Sequence, residues 1–356
     1  VHSQRDWRVC HVNLARGFRG GERQTELLIR ELAAAGIAQT LVARAGEPLA
    51  SRLETVPDLQ VKAVSGTLAG ALAIGRPDLV HVHEGRSLRS AWLNSRFSRV
   101  PYLITRRVLS VPRRHWLNRD MYRRAAAVCV LSKAVGTALR QLDADIPCRI
   151  IPSAASAEAA SREAARALRE TWGGEFIIGH VGALDDRDKG QRQIIEIAGL
   201  LRESHPELHF VLVGGGPDEA SLKAAAEAIP TVHFVGHSDR VADYLAAFDL
   251  FCFPSRREGL GSILIDAMES GLPIVATRIG GIPELIADGV NGRLLAVGDV
   301  QGMAQAICAL AGDPARRAQI ASANRLRAGE FSAAIMADRY LELYREIAGG
   351  PGREAG

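Results

Sequence analysis

Two carboxylates, Glu258 and Asp266, are separated by seven residues and bracket the run Gly259-Leu260-Gly261-Ser262-Ile263. That run follows a short apolar stretch and opens a helical pattern. Glycines there let the backbone come close to a ligand, and amides left unpaired at a helix start suit an anion, a diphosphate above all. Glu258 stands just ahead of the turn, where its carboxylate can accept hydrogen bonds from hydroxyl groups. Asp266 follows about two helical turns on, so both acids can face the same side. The plainer alternative is a glycine turn with solvated acids. A second candidate is Val181-Gly182-Ala183-Leu184-Asp185-Asp186-Arg187-Asp188-Lys189-Gly190, again between an apolar run and a helical pattern. A cation placed there, Lys189 or Arg187, would stabilise negative charge as a phosphate departs. The competing reading pairs Lys189 with Asp185 or Asp186 on the surface.

The amino-terminal half offers further candidates. Gly20 and Gly21 lie where a first strand turns into a helix, and such a pair permits close approach to phosphate oxygens. His81 and His83 alternate along Val80-His81-Val82-His83-Glu84 and share one face, His83 being nearer the loop. His-x-His invites a metal reading, but no third ligand is evident nearby, and His81 reads as a satisfied sheet-face residue. Two glycine-bearing loops, around Gly214 and His237, follow other apolar runs. Residues 105–124 carry Arg106, Arg107, Arg113, Arg114, Arg119, Arg123 and Arg124, with Asp120 as the one acid. This run reads either as a solvated helix face with an Asp120–Arg124 pair or as a surface for an anionic lipid or phosphorylated acceptor. No nucleic-acid recognition motif accompanies it.

These residues need elements to hold them. Strand-like runs include Arg8–Val12, Thr40–Ala43, Leu59–Val64, Leu79–Val82, Tyr102–Ile104 and Val128–Leu131, then Phe176–Val181, His209–Val213, Val232–Val235, Leu250–Phe253 and Pro273–Ala276. Helical patterns alternate with them. Short buried strands separated by helices mean parallel sheets with right-handed crossovers, so the fold class is α/β with two Rossmann-like, doubly wound domains. The 356 residues suit that number. Residues 1–153 are expected to form the first domain and 154–332 the second. An apolar-striped helix over 333–348 should pack back across the linker, before a frayed tail at 349–356. In such sheets ligands sit beyond the carboxyl ends of the strands, which puts the chemistry in the loops named above and in a cleft between the domains.

Composition narrows the classes further. Hydrophobic residues make up 47% and charged residues 24%, an ordinary globular balance. No stretch suits a spanning helix, and five scattered cysteines without a CxxC pair argue for a reducing, cytoplasmic setting. Residues 1–155 hold 24 basic and 12 acidic side chains, against 20 and 28 in the remainder. That asymmetry points the first half towards something anionic.

The segment from Glu258 to Glu269, with Gly271-Leu272-Pro273-Ile274-Val275-Ala276-Thr277 and Gly280-Gly281-Ile282-Pro283-Glu284 behind it, resembles the donor-binding domain of retaining GT-B glycosyltransferases. More narrowly, it is similar to glycosyltransferase family 4. The resemblance runs over nearly the whole chain and implies GT-B architecture, with acceptor bound by the first domain and a nucleotide-diphosphate sugar by the second. It implies that Glu258 binds the donor sugar and that the second acid binds ribose. The family has glutamate there, whereas Asp266 is one methylene shorter. It assigns Lys189 to the diphosphate, although Ala183 stands where an arginine is expected and Arg187 would have to substitute. Gly20 and Gly21 would meet the diphosphate, His83 the transferred sugar, and the loops at Gly214 and His237 the nucleotide. Neither cofactor nor catalytic metal is implied. The expected reaction moves a hexosyl or heptosyl unit to a cell-envelope saccharide such as lipopolysaccharide core, with Arg106, Arg107, Arg113 and Arg114 facing the acceptor or the inner-membrane surface. A sugar-nucleotide epimerase, or a binding subunit with decayed catalysis, remains open on the same residues.

Overall fold

Strands buried on both faces read as nearly continuous apolar runs, and that is how these sheets are built. A computed structural model of the protein describes residues 8–156, 158–173 and 175–349. In the first unit β1 (Arg8–Asn13), β2 (Ala38–Arg44), β3 (Leu59–Val64), β4 (Leu79–Val82), β5 (Tyr102–Arg106), β6 (Ala127–Val130) and β7 (Cys148–Ile150) form one sheet. Its order is β3-β2-β1-β4-β5-β6-β7, and neighbouring strands pair in parallel. In the second unit β8 (Phe176–Val181), β9 (Leu208–Val213), β10 (Val232–Gly236), β11 (Leu250–Phe253), β12 (Ile274–Thr277) and β13 (Arg293–Leu295) follow the order β10-β9-β8-β11-β12-β13. This pairing is parallel too. Both sheets are doubly wound, and each reverses direction at one place, between β1 and β4 or between β8 and β11. Loops diverge there and leave a crevice at the strand ends.

The first unit takes the chain up to Ser156 and the residues from Ala333 onward; the second takes the residues between, to Ser332. The first domain therefore runs slightly past the expected boundary at 153. Ala154 explains the difference: the Gln24 side-chain amide donates to its carbonyl at 2.7 Å and accepts from its N–H at 2.8 Å. Ala154 and Ala155 are both buried. The helix Ala333–Ala348 presents Met336, Tyr340, Leu343 and Tyr344 along one stripe and packs on Val9, Leu28, Leu32, Leu79 and Leu103 of the first unit. Burying each such side chain contributes on the order of 1.5–3 kcal/mol. The two tyrosine hydroxyls, fully enclosed, need polar partners and find them in the first sheet. No described helix is long and apolar enough to cross a membrane.

Candidate active site

In the second unit the reversal between β8 and β11 brings together two loops that are far apart in sequence. Phe176–Val181 and Leu250–Phe253 are side by side, so the chain beyond Val181 and the chain beyond Phe253 emerge next to each other. The loops are then stitched directly. The amides of Arg256 and Arg257 donate to the Asp188 carbonyl at 2.9 and 3.1 Å, and Gln193 Nε2 donates to the Pro254 carbonyl at 3.2 Å. Beneath them, His180 Nδ1 donates to the Cys252 carbonyl at 3.0 Å. Gln191 Nε2 lies 3.3 Å from the other nitrogen of that ring and donates to the Ala183 carbonyl at 2.7 Å.

On this base Lys189 Nζ meets Glu258 Oε2 at 2.5 Å, with 24% and 15% of the two side chains exposed. The ammonium also lies 5.4 Å from the Phe253 ring centre, a cation–π contact. Lys189 thus pairs with neither Asp185 nor Asp186. Those acids are taken up locally: the Asp186 carboxylate accepts from the Arg192 amide at 2.7 Å, and Arg187 reaches Asp185 and Asp188 at 3.9 and 3.6 Å. Arg187 is 77% exposed and turned to its own loop. Gly259, Leu260 and Gly261 are buried, Ser262 and Ile263 half-buried. The helix that follows is short, Ile263–Glu269. Leu264 and Ile265 donate back to the Gly261 and Ser262 carbonyls. Asp266 lies half-buried one turn into that helix. Gly214 belongs to the framework: its amide donates to the Gly236 carbonyl at 2.8 Å. His237 is 72% exposed, 3.5 Å from Asp239.

The corresponding reversal in the first unit holds three imidazoles. His83 follows β4, and its amide donates to the Val12 carbonyl on β1. The register of β1 on β4 sets His11 opposite His81, which supplies the third histidine that the His81/His83 spacing alone did not reveal. All three are essentially inaccessible, with potential ligand atoms within 4.8 Å of one another. Both nitrogens of His11 and of His81 are occupied. His11 Nδ1 lies 2.9 Å from His83 Nε2 and His11 Nε2 lies 3.0 Å from Gln39 Oε1. His81 reaches the Tyr344 hydroxyl at 2.5 Å and the Thr105 hydroxyl at 2.7 Å, and Thr105 continues to Tyr340. His81 and His83 overlap with ring centres 3.8 Å apart. A metal shared by the three would have to displace those bonds. Of the six ring nitrogens in this cluster, only His83 Nδ1 has no hydrogen-bond partner among the described residues.

Around this cluster, Gly20 begins the helix Gly20–Ala34. Glu22, three residues after Arg19, closes a capping bond by accepting from the Arg19 amide at 3.0 Å. Gly21 leaves space for the Arg107 side chain, whose Cδ would stand 3.6 Å from an added Cβ. Glu84 serves the loops themselves, accepting from the Leu14 amide at 3.2 Å and the Ser87 amide at 2.7 Å.

The arginines of the basic run divide between the interior and the surface. Arg106 is buried at the end of β5, and its guanidinium donates to the Tyr122 hydroxyl at 3.0 Å. Arg107 Nε is enclosed without a hydrogen-bond partner among the described residues. Arg106 is thus withdrawn into the end of the sheet, while Arg107, one residue beyond β5, is half-buried. Arg123 and Arg119 are drawn to Asp143 at 2.5 and 3.4 Å, and Arg124 to Asp120 at 2.8 Å. Asp143 is an acid from outside the run. Arg113 and Arg114 remain exposed.

Burial keeps these histidines neutral. It pushes His11 from 6.5 down to about 3 and His180 to about 4, and it lowers His81 and His83 as well. The unfolded chain therefore binds protons that the folded one refuses. Stability is complete above about pH 6.5 and is lost as pH falls from there towards the folded values, by up to ~1.4 kcal/mol per pH unit for each such group. The melting temperature is expected to fall steadily between pH 6.5 and 4. His180→Gln should flatten part of that slope in a circular-dichroism melt series. An unchanged slope in the variant would remove His180 from this account.

Comparisons with known proteins agree with this anatomy. The family model described as "Glycosyl transferase 4-like domain" matches residues 19–154, and "Glycosyl transferases group 1" matches residues 175–313. The alpha-D-kanosaminyltransferase of Streptomyces kanamyceticus is 30% identical over 288 residues, 77% of this chain and 72% of that protein. The lipopolysaccharide core biosynthesis glycosyltransferase LpsE of Rhizobium meliloti is 30% identical over 182 residues, covering 50% of this chain and 52% of its own length. Among solved structures, Anabaena HepE in complex with UDP-glucose superposes with a TM-score of 0.80 over 94% of this chain and 98% of that one. Its identity is 23%, so this likeness is one of fold. Two parallel, doubly wound domains with these loops have the GT-B architecture of glycosyltransferases. The chain belongs to glycosyltransferase family 4 and is a glycosyltransferase.

Proposed function

We propose that the protein is a retaining, metal-independent transferase that moves a hexosyl or heptosyl unit from a nucleotide-diphosphate sugar to a hydroxyl of an anionic cell-envelope saccharide. The Lys189–Glu258 pair carries this reading: a cation and a hydroxyl-binding carboxylate meet at the strand ends where α/β sheets take ligands. Lys189 neutralises the diphosphate as the bond from the sugar's anomeric carbon to the phosphate oxygen breaks. Glu258 accepts hydrogen bonds from the sugar hydroxyls, aided by the backbone from Gly259 to Ile263, while Asp266 serves the ribose. The acceptor oxygen bonds to the anomeric carbon on the face the phosphate leaves, and its proton passes to that phosphate. In the first domain His83 contacts the transferred sugar, and Gly20 and Gly21 the diphosphate. Arg187, Gly214 and His237 are assigned secondary parts around the nucleotide.

The likeness to LpsE and the basic first half support an envelope acceptor with phosphate groups, met by Arg113 and Arg114 at the cytoplasmic face of the membrane. A thermal-shift panel of UDP-glucose, UDP-N-acetylglucosamine, GDP-mannose and ADP-heptose tests the donor side, because a ligand specific to the native state raises the melting temperature. At 100-fold excess over Kd it adds about 2.7 kcal/mol. Product analysis with lipopolysaccharide-core and soluble acceptors should then yield a glycoside with the donor's anomeric configuration. An inverted product, or epimerised donor without transfer, would overturn the proposal.

A further inference from the structure

A buried histidine is useful only if its proton is on the right nitrogen, and here neighbouring atoms decide that. Gln39, on β2, donates from Nε2 to the Ile29 carbonyl at 3.0 Å, which turns its Oε1 towards His11 Nε2 at 3.0 Å. An amide oxygen can only accept, so His11 Nε2 bears the hydrogen. A neutral imidazole has one donor and one acceptor, so His11 Nδ1 accepts, and the proton in its 2.9 Å bond to His83 comes from His83 Nε2. By the same rule His83 Nδ1 is bare. That atom is buried and has no hydrogen-bond partner among the described residues. From the other face the His81 ring overlaps His83, and His81 is anchored by Tyr344 and Thr105. The ring of His83 is thus held in plane as well as in tautomer.

We propose that Gln39 and His11 are positioning residues that lock His83 as its Nε2–H tautomer and keep Nδ1 as a hydrogen-bond acceptor for a sugar hydroxyl. The last clause rests on the reading of His83 given under Proposed function; the lock itself does not. An Nδ1 lone pair without a protein partner costs free energy in a buried site unless a donor arrives, and a hydroxyl of the transferred sugar is such a donor. The arrangement selects a ligand hydroxyl and disfavours a deoxy analogue at that position, because the deoxy ligand would leave the nitrogen unpaired.

Nitrogen-15 NMR of histidine-labelled full-length protein reads the tautomer directly. In the wild type His83 should show an imine-type Nδ1 and a pyrrole-type Nε2, assigned by its absence in His83→Asn. Gln39→Met removes the acceptor, frees His11 to tautomerise and should give averaged His83 shifts. His11→Asn keeps an oxygen near the place of Nδ1 and should retain the lock; His11→Leu should lose it, although a pure packing role would favour leucine over asparagine in so dry a site. A protonated Nδ1 in the wild type, or an unchanged tautomer in both Gln39→Met and His11→Leu, would overturn the proposal. A lock found intact together with wild-type transfer by His83→Leu, which leaves no acceptor at the place of Nδ1, would leave the lock standing and remove the sugar contact. Loss of the lock in Gln39→Met is expected to lower transfer at least about tenfold, the scale of one buried hydrogen bond to the sugar left unmade.

Discussion

Lys189→Ala is expected to lower turnover by about 10²–10³-fold, the usual consequence of removing one preorganised charge from a leaving group. Glu258→Gln should lower it to a similar degree, and nucleotide binding should separate the two variants. Lys189 is held by Glu258 at 2.5 Å in a part-buried setting, so an incoming diphosphate competes with that carboxylate for the ammonium. Removing the lysine removes the attraction and weakens binding of the nucleoside diphosphate. Glutamine keeps the size and the hydrogen-bonding edge of glutamate but gives up its charge, so the ammonium is released to the phosphate. Calorimetric titration with UDP, GDP and ADP should therefore show weaker binding to Lys189→Ala and equal or tighter binding to Glu258→Gln for whichever base the protein accepts. A charge-assisted hydrogen bond contributes ~1.5–3 kcal/mol, which makes the loss at Lys189 roughly tenfold or more in affinity. Both variants should melt close to the wild type, since the pair spans a solvent-facing crevice and not a core. Wild-type turnover in both would end the site assignment.

The contrast between these residues and the histidines shows what a one-dimensional reading can reach. Lys189 and Glu258 stand 69 positions apart, yet each sits in a loop with its own local signature, so each was identifiable alone. Their mutual contact was not, because it depends on β8 lying beside β11. The strands themselves were legible because central parallel strands are apolar on both faces, as at Phe176–Val181. The short edge strand Arg293–Leu295 begins with an exposed arginine and carries no such mark. His11 escaped for a related reason. It lies inside an apolar run and acquires meaning only from the β1–β4 register that places it against His81. The arginines of residues 105–124 show a different limit. Composition cannot tell which of them reach the surface: Arg106 is buried at the end of β5, whereas Arg119 and Arg123 meet Asp143, beyond the run, and stay about half exposed. Charge counted along a chain is not charge displayed on a fold.

Gly190→Ala is the second large effect expected. Gly190 has φ +69°, a left-handed conformation that an L side chain adopts at a cost of ~1–2 kcal/mol. An added Cβ would also stand 2.3 Å from the Pro254 carbonyl oxygen and 2.6 Å from Gln193 Nε2. The oxygen cannot yield cheaply, since it belongs to the loop that leads to Glu258 and already accepts from Gln193. The two loops must part, and with them the amides of Arg256 and Arg257 lose their bonds to the Asp188 carbonyl. Lys189 then moves relative to Glu258, so stability and ligand binding fall together. We expect a loss on the order of 3 kcal/mol or more and at least a tenfold weaker affinity for the nucleotide diphosphate. Gly298→Ala is the control: its φ is +86°, but nothing lies within 4 Å of an added Cβ. It should carry the backbone cost alone, leave binding unchanged, and melt only a few degrees below the wild type. If Gly190→Ala matched Gly298→Ala in both melting temperature and nucleotide affinity, the β8 and β11 loops would not depend on this close approach, and the geometry that pairs Lys189 with Glu258 would need another cause.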